Sequence, residues 1–151
     1  MYKHILVPLD GSALAEKALP HAVAIAEKDG AKVTLFRIFE PEQALAPPSS
    51  RLDTYHLVVT AEAAKERTEV YLAEQKELLD SELNTVETAT VQFAEKVGDA
   101  IAHYATENEV DLIVMTSHGY TGVRRWILGS VTIETICEAE CPVMVIPAAV
   151  G

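Results

Sequence analysis

The sequence predicts an α/β fold, an open five-stranded parallel sheet with helices on both faces, and three observations predict it. Short apolar runs alternate with longer stretches of helical spacing, in the order β-α-β-α-β-α-β-α-β. The first, fourth and fifth runs are almost continuously apolar, as strands are when both faces of a parallel sheet are covered. The fourth run, Asp111-Leu112-Ile113-Val114-Met115, leads through a glycine-bearing stretch, Thr116 to Ser130, into a further helical pattern. Many α/β proteins hold phosphate at such a strand-loop-helix passage, where loop N–H groups and the positive end of the helix meet an anion.

The elements follow in order. Strand one is His4 to Leu9, stopped by Asp10-Gly11-Ser12. Ser12 suits an N-cap, and Leu14, Ala18, Ala22, Ile25 and Ala26 recur at helical spacing, so a helix is expected over Ala13 to Lys28. Pro20 falls inside it and predicts a kink. Asp29-Gly30 ends it, and strand two runs from Lys32 to Phe39. Glu40 to Asp53, with three prolines and two serines, reads as a loop. A long helix is expected over Leu57 to Leu83, with Leu72, Leu78 and Leu79 toward the core. Val86 to Phe93, with β-branched Val86, Thr88, Thr90 and Val91, suits strand three. Gly98 is expected to break the chain before a short helix over Asp99 to Glu107. Strand four is Asp111 to Met115. A helix over Ser130 to Glu138 and strand five, Pro142 to Ile146, complete the series.

A chain of 151 residues suits one domain, 1–151, with a sizeable core. Its formal net charge of −11 argues against nucleic acid or an anionic membrane as the main partner, since both select a basic face. No apolar run is long enough to cross a bilayer, and Met1-Tyr2-Lys3-His4 leads straight into a strand, so a cytoplasmic location is expected. From Leu112 to Ile133 there is no Asp or Glu, whereas His118, Arg124 and Arg125 fall inside. This acid-free stretch contains the glycine loop, which makes it an anion-site candidate. Cys137 and Cys141 lack nearby histidines at zinc-ligand spacing and read as reduced thiols, at least one of them packed.

The loop carries neither G-x4-G-K-[ST] nor G-x-G-x-x-G. Its spacing is Thr116-x2-Gly119-x9-Gly129-Ser130. This resembles the G-x2-G-x9-G-[ST] loop of nucleotide-binding members of the universal stress protein family, with Thr116 in place of the first glycine. The likeness extends along the chain through Ile5-Leu6-Val7-Pro8-Leu9-Asp10-Gly11-Ser12, Val97-Gly98-Asp99-Ala100-Ile101, the fourth strand, and Cys141-Pro142-Val143-Met144-Val145-Ile146.

The resemblance implies strand order 3-2-1-4-5, an adenine-nucleotide alpha-hydrolase-like sheet, ATP with Mg²⁺ or Mn²⁺, and a homodimer joined along the fifth strands, Pro142 to Ile146. It implies that Pro8 and Leu9 line the nucleotide cleft, and that Asp10 meets the ribose and the metal-bound phosphates. The Ile38 backbone would meet the adenine edge, with Met115 and Thr116 flanking the adenosine. Gly119 would admit the phosphates, and Gly129, Ser130 and Val131 would hold them. Other roles stand beside these. Asp10 can cap the first helix, Ser130 can be a plain N-cap, and His118, Arg124, Arg125 and Trp126 can be solvated or packed loop residues. Thr116 is harmless at an ordinary strand end and costly where φ must be positive. Two other functions remain open, an interaction module that binds no nucleotide and a slow ATPase, although Asp10 and Glu40 are the acids that can be set near the cleft.

Overall fold

The strand His4–Pro8 (β1) is buried almost throughout and forms the centre of the molecule. The computed structural model describes residues 1–41, 53–80, 83, 85–93, 96–117 and 128–148, with 53–60 through their backbone. Lys32–Phe39 (β2) and Leu112–Thr116 (β4) flank β1, Val86–Gln92 (β3) lies outside β2, and Val143–Ile146 (β5) lies outside β4. All neighbours are parallel, in the order β3-β2-β1-β4-β5. This is the order that the family resemblance implies.

Successive side chains of a strand face opposite sides of the sheet. Ile5, Val7, Val33, Leu35 and Val114 pack on one side with the helices Leu19–Asp29 (α2) and Asp53–Leu79 (α3). Leu6, Phe36, Ile113 and Met115 pack on the other with Val97–Glu107 (α4) and Ser130–Glu138 (α5). Among the described residues, no helix is long and apolar enough to cross a membrane.

Several helix boundaries differ from expectation. The first helical stretch is two helices, Ala13–Glu16 (α1) and α2. A proline ring collides with the carbonyl four residues before it, which for Pro20 is that of Glu16. The helix therefore ends at Glu16 and restarts at Leu19, with Pro20 in the new first turn, where its missing N–H costs nothing. Gly30 closes α2 in the left-handed region, φ 69°.

The third helix begins at Asp53 and ends at Leu79, four residues before each expected bound. Leu72 is fully buried and Leu79 packs on the core, but Leu78 is 68% exposed. Six residues make about one and two-thirds turns, which carries Leu78 off the face that Leu72 and Leu79 share. Gly98 does not break the chain. It lies in the first turn of α4, and a Cβ there would overlap Cβ of Glu134 on α5. The glycine serves close approach of the two helices. Cys137 is exposed and Cys141 is half-buried in the α4/α5 core, and both are free thiols. Burial raises the Cys141 thiol above its ordinary range.

At the opposite end of the sheet from the strand C-termini, His4 is 5% exposed. Its Nδ1 lies 3.0 Å from the Asn108 carbonyl oxygen and its Nε2 2.8 Å from Thr34 Oγ1. A carbonyl can only accept, so Nδ1 carries the proton, and Nε2 of the neutral ring accepts from the Thr34 hydroxyl. Burial, followed by the Lys32 charge, holds the His4 pKa below 6.5. Folding thus favours neutral imidazole, and the unfolded chain takes up the proton first. This contribution is complete above about pH 6.5 and is lost as pH falls from there toward the lower folded-state value. Urea unfolding at about pH 7.5 and about pH 5.5 is expected to show a larger loss for wild type than for His4→Gln. Equal losses in the two proteins would remove His4 from the account.

Candidate functional site

The sheet's crossovers diverge at β1. The chain leaves β1 for α1 and α2 on one face, and enters β4 from α4 on the other. Ligands of open α/β sheets settle at such a switch point, beyond the strand C-termini. Here β1 makes its last sheet bond from Leu9 N to the Phe36 carbonyl, 2.8 Å, and then turns through Asp10-Gly11-Ser12. Gly11 has φ +86°, a conformation that disfavours any side chain, and a Cβ there would lie 2.9 Å from Arg37 Nη1. Asp10 Oδ1 accepts from Ser12 N at 2.8 Å and from the Ser12 hydroxyl. Ser12 Oγ in turn accepts from Ala15 N, 3.2 Å, as the N-cap of α1. Asp10 is therefore not itself the cap. It braces the residue that is, and so stands fixed at the strand end.

A cavity of about 130 Å³ opens beside this turn. Pro8, Leu9 and Asp10 line it from β1 and its turn, Phe36 and Ile38 from β2, and Met115 and Thr116 from β4. Ala15, Val97, Ile101, Val131 and Thr132 complete its walls. Except for Asp10, Thr116 and Thr132, the lining side chains are apolar.

The backbone at Ile38 follows from the register. In a parallel strand, alternate residues direct both amide and carbonyl to the same neighbour. The Phe36 carbonyl accepts from Leu9 on the β1 side, and the Phe39 carbonyl accepts from Phe93 N, 2.8 Å, on the β3 side. Ile38 therefore directs its N–H and C=O to the β1 side, where β1 has already turned away. An adjacent donor and acceptor thus face the cavity.

Thr116 is the last residue of β4, paired with Ile146, and is 6% exposed. Glu109, φ 52°, is the non-glycine residue with positive φ among those described, so Thr116 has ordinary strand backbone. A β-branched residue suits that place.

The N-terminus of α5 closes the site. Its N-cap is Gly129, which offers no side-chain cap, and Ser130 is the first helical residue rather than the cap. Gly129 N donates to the Ser117 carbonyl, 2.9 Å. The hydroxyl of buried Thr132 donates to both the Thr116 and Ser117 carbonyls, 3.2 Å each, and ties the helix to the end of β4.

Of the residues singled out in the sequence, the cavity brings together Pro8, Leu9, Asp10, Ile38, Met115, Thr116 and Val131. Gly129 and Ser130 stand at the head of α5, next in sequence to the lining Val131 but not among the lining residues. Gly119 lies outside the described residues, as do His118, Arg124, Arg125 and Trp126. Sequence reasoning missed Ala15, Phe36, Val97, Ile101 and Thr132. Phe36 lies two residues before Ile38 on the same strand face, and Ile101 one helical turn after Val97. A threonine on the core face of α5 was the signal for Thr132. Among the described residues, no group of three His, Cys, Asp or Glu side chains is disposed to hold a metal.

The Universal stress protein family model matches residues 1–147. The chain belongs to the universal stress protein family. A relative within it, Universal stress protein MJ0531 of Methanocaldococcus jannaschii, is 30% identical over 146 residues, covering 97% of this chain and 82% of that protein. The solved structure of universal stress protein UspA from Lactobacillus plantarum superposes with a TM-score of 0.77 at 26% identity, covering 96% of this chain and 97% of that one. Two universal stress protein structures at 20% identity share the fold. One, in complex with cAMP, has a TM-score of 0.61 and covers 98% of each chain. The other, from Archaeoglobus fulgidus in complex with dAMP, has a TM-score of 0.59 and covers 96% of this chain and 98% of that one.

Proposed function

We propose that this universal stress protein binds ATP with Mg²⁺ or Mn²⁺ at the switch-point cavity, and acts in the cytoplasm as a homodimer through nucleotide-dependent conformation or partner contact. The observation that carries this reading is the cavity itself. It joins an apolar slot, a backbone donor and acceptor at Ile38, a fixed carboxylate at Asp10 and an uncapped helix N-terminus at Gly129. At about 130 Å³ it is smaller than the ~300–1,000 Å³ of a complete ligand pocket, and so suits a base rather than a whole nucleotide. Sugar and phosphates would extend past Asp10 and Thr116 toward the amides of Ser130 and Val131, where the helix dipole favours negative charge. Relatives of the same fold solved with cAMP and dAMP lend the adenine preference.

Asp10 suits the metal. Mg²⁺ commonly takes one or two carboxylates and completes its shell with phosphate oxygens and water, so a lone aspartate beside a phosphate site fits it. When bound, the ion would neutralise phosphate charge. Support for the dimer comes from β5, a short edge strand on which Met144 is exposed, and from Ile133 and Ile136, exposed on the adjoining α5. An apolar edge of that kind invites pairing with a second copy.

Calorimetric titration of nucleotide-stripped protein with ATP and Mg²⁺, beside Gly129→Val, tests the reading. Wild type is expected to bind, and the variant to bind at least tenfold more weakly, a loss of about 1.4 kcal/mol or more. Absence of heat and of thermal shift at millimolar ATP would leave a partner-binding protein without nucleotide.

A further inference from the structure

On the face of the sheet opposite α4 and α5, between the end of β2 and α3, lies a second cavity of about 190 Å³. Arg37 and Phe39 line it from β2, Glu40 from just beyond the strand, and Ala64, Arg67 and Thr68 from α3. Two features of its lining are unusual. Thr68 is 3% exposed, yet its hydroxyl has no hydrogen-bond partner among the described residues. Two other helical threonines satisfy theirs, Thr106 on the Ala102 carbonyl and Thr135 on the Val131 carbonyl. A buried hydroxyl without a partner is costly, and a native structure that keeps one calls for a reason, of which a bound anion is one.

Arg37 is the second. Its guanidinium lies 4.9 Å from the centroid of the Tyr71 ring and against Gly11, where a Cβ would come within 2.9 Å. It forms no ion pair and no hydrogen bond with another described residue. In a protein of net charge −11, a half-buried arginine has many carboxylates to choose from. Glu16 spends a carboxylate oxygen on the Tyr71 hydroxyl, which donates to it at 2.9 Å. That hydrogen bond holds the ring over which the guanidinium lies. A planar guanidinium held on an aromatic face is pre-organised for a bidentate oxyanion. Arg67, exposed on α3 and engaged in an interaction of its own, adds positive charge to the lining, and Glu40 adds a carboxylate.

We propose that this cavity is a second anion site, separate from the nucleotide cavity, in which Arg37 binds a phosphate group with the Thr68 hydroxyl as a further donor. Inorganic phosphate and the end of a small phosphomonoester both fit, since the guanidinium and the hydroxyl recognise the oxygens common to both. The two sites lie on opposite faces of the sheet because consecutive residues of β2 alternate. Phe36 and Ile38 line the first cavity, and Arg37 and Phe39 line the second.

The test is titration of the full chain with inorganic phosphate and, separately, with glycerol phosphate, read by thermal shift and by the Arg37 Nε resonance. Saturable movement of that resonance is expected in wild type and in Gly129→Val, which disables the other phosphate position. Arg37→Gln is expected to weaken binding roughly tenfold or more, as loss of a charge-assisted bidentate contact does. Thr68→Val is the sharper variant, because removing an unpartnered hydroxyl leaves the free protein at least as stable while lowering its response to phosphate. Tighter binding of either ligand supports the site and identifies its source. Two results would overturn it: no movement of the Arg37 resonance at tens of millimolar phosphate, or a response that vanishes in Gly129→Val and survives in Arg37→Gln and Thr68→Val.

Discussion

Gly98→Val is expected to destabilise the protein by about 3 kcal/mol or more, above the ordinary overpacking range of about 1–3 kcal/mol. A Cβ at this position would overlap Cβ of Glu134 and come within 2.9 Å of Thr135 N and the Val131 carbonyl oxygen. Two of these three are backbone atoms and the third is fixed to backbone, so no rotamer change relieves the contact. The helices α4 and α5 must separate. Alanine brings the same Cβ without the further methyls, and its better helix propensity offsets part of the cost. The expected order of stability is therefore wild type, Gly98→Ala, Gly98→Val. The displacement reaches the candidate site, because Val97 and Ile101 of α4 and Val131 and Thr132 of α5 line the first cavity. Nucleotide affinity should fall with stability across the series. Urea unfolding of both variants checks this, and an unchanged midpoint for the valine would mean that the helices are not so close.

Phe36→Ala is expected to cost about 3–5 kcal/mol, a large share of the roughly 5–15 kcal/mol that holds a domain folded. Phe36 is 1% exposed and sits at the centre of the α4/α5 core. Its ring centroid is 4.6 Å from that of Tyr104, tilted by 33°, so truncation also removes an aromatic pair. The ring forms part of the cavity wall, and its loss would merge the cavity with a void in the core. Phe36→Leu keeps most of the volume and should keep most of the stability. A midpoint within about 1 kcal/mol of wild type for Phe36→Ala would contradict the packing described, since fully buried aromatics do not truncate so cheaply.

The sheet was legible because its strands are short apolar runs separated by helical spacing, and the order β3-β2-β1-β4-β5 agrees with the order implied by the family resemblance. Helix ends were less so, for reasons particular to each. The Pro20 ring acts four residues upstream of itself, so the break appears at Glu16. Gly98 looked like a breaker because glycine serves both turns and close packing, and only the position of α5 separates the two. Leu78 was assigned inward from its composition, although its spacing from Leu72 places it outward.

The cavity shows a similar division. Strand-end and loop residues such as Pro8, Asp10, Ile38 and Thr116 were visible through their motifs and the resemblance they carry. Phe36, Val97 and Ile101 read as ordinary core, since lining a ligand slot and filling a core require the same apolar side chains. Thr132 was hidden because its two acceptors, the Thr116 and Ser117 carbonyls, lie across the loop from it.

The side chains of Arg37 and Ile38 leave the sheet on opposite sides though they share a peptide bond. Losing or gaining a single residue between Phe36 and Phe39 would reverse which side each one serves. The guanidinium would enter an apolar slot, and the Tyr71 ring would face a hydrocarbon. A change of length within this four-residue segment is therefore expected to cost both cavities at once, whereas a change of composition reaches only the one that its side chain faces.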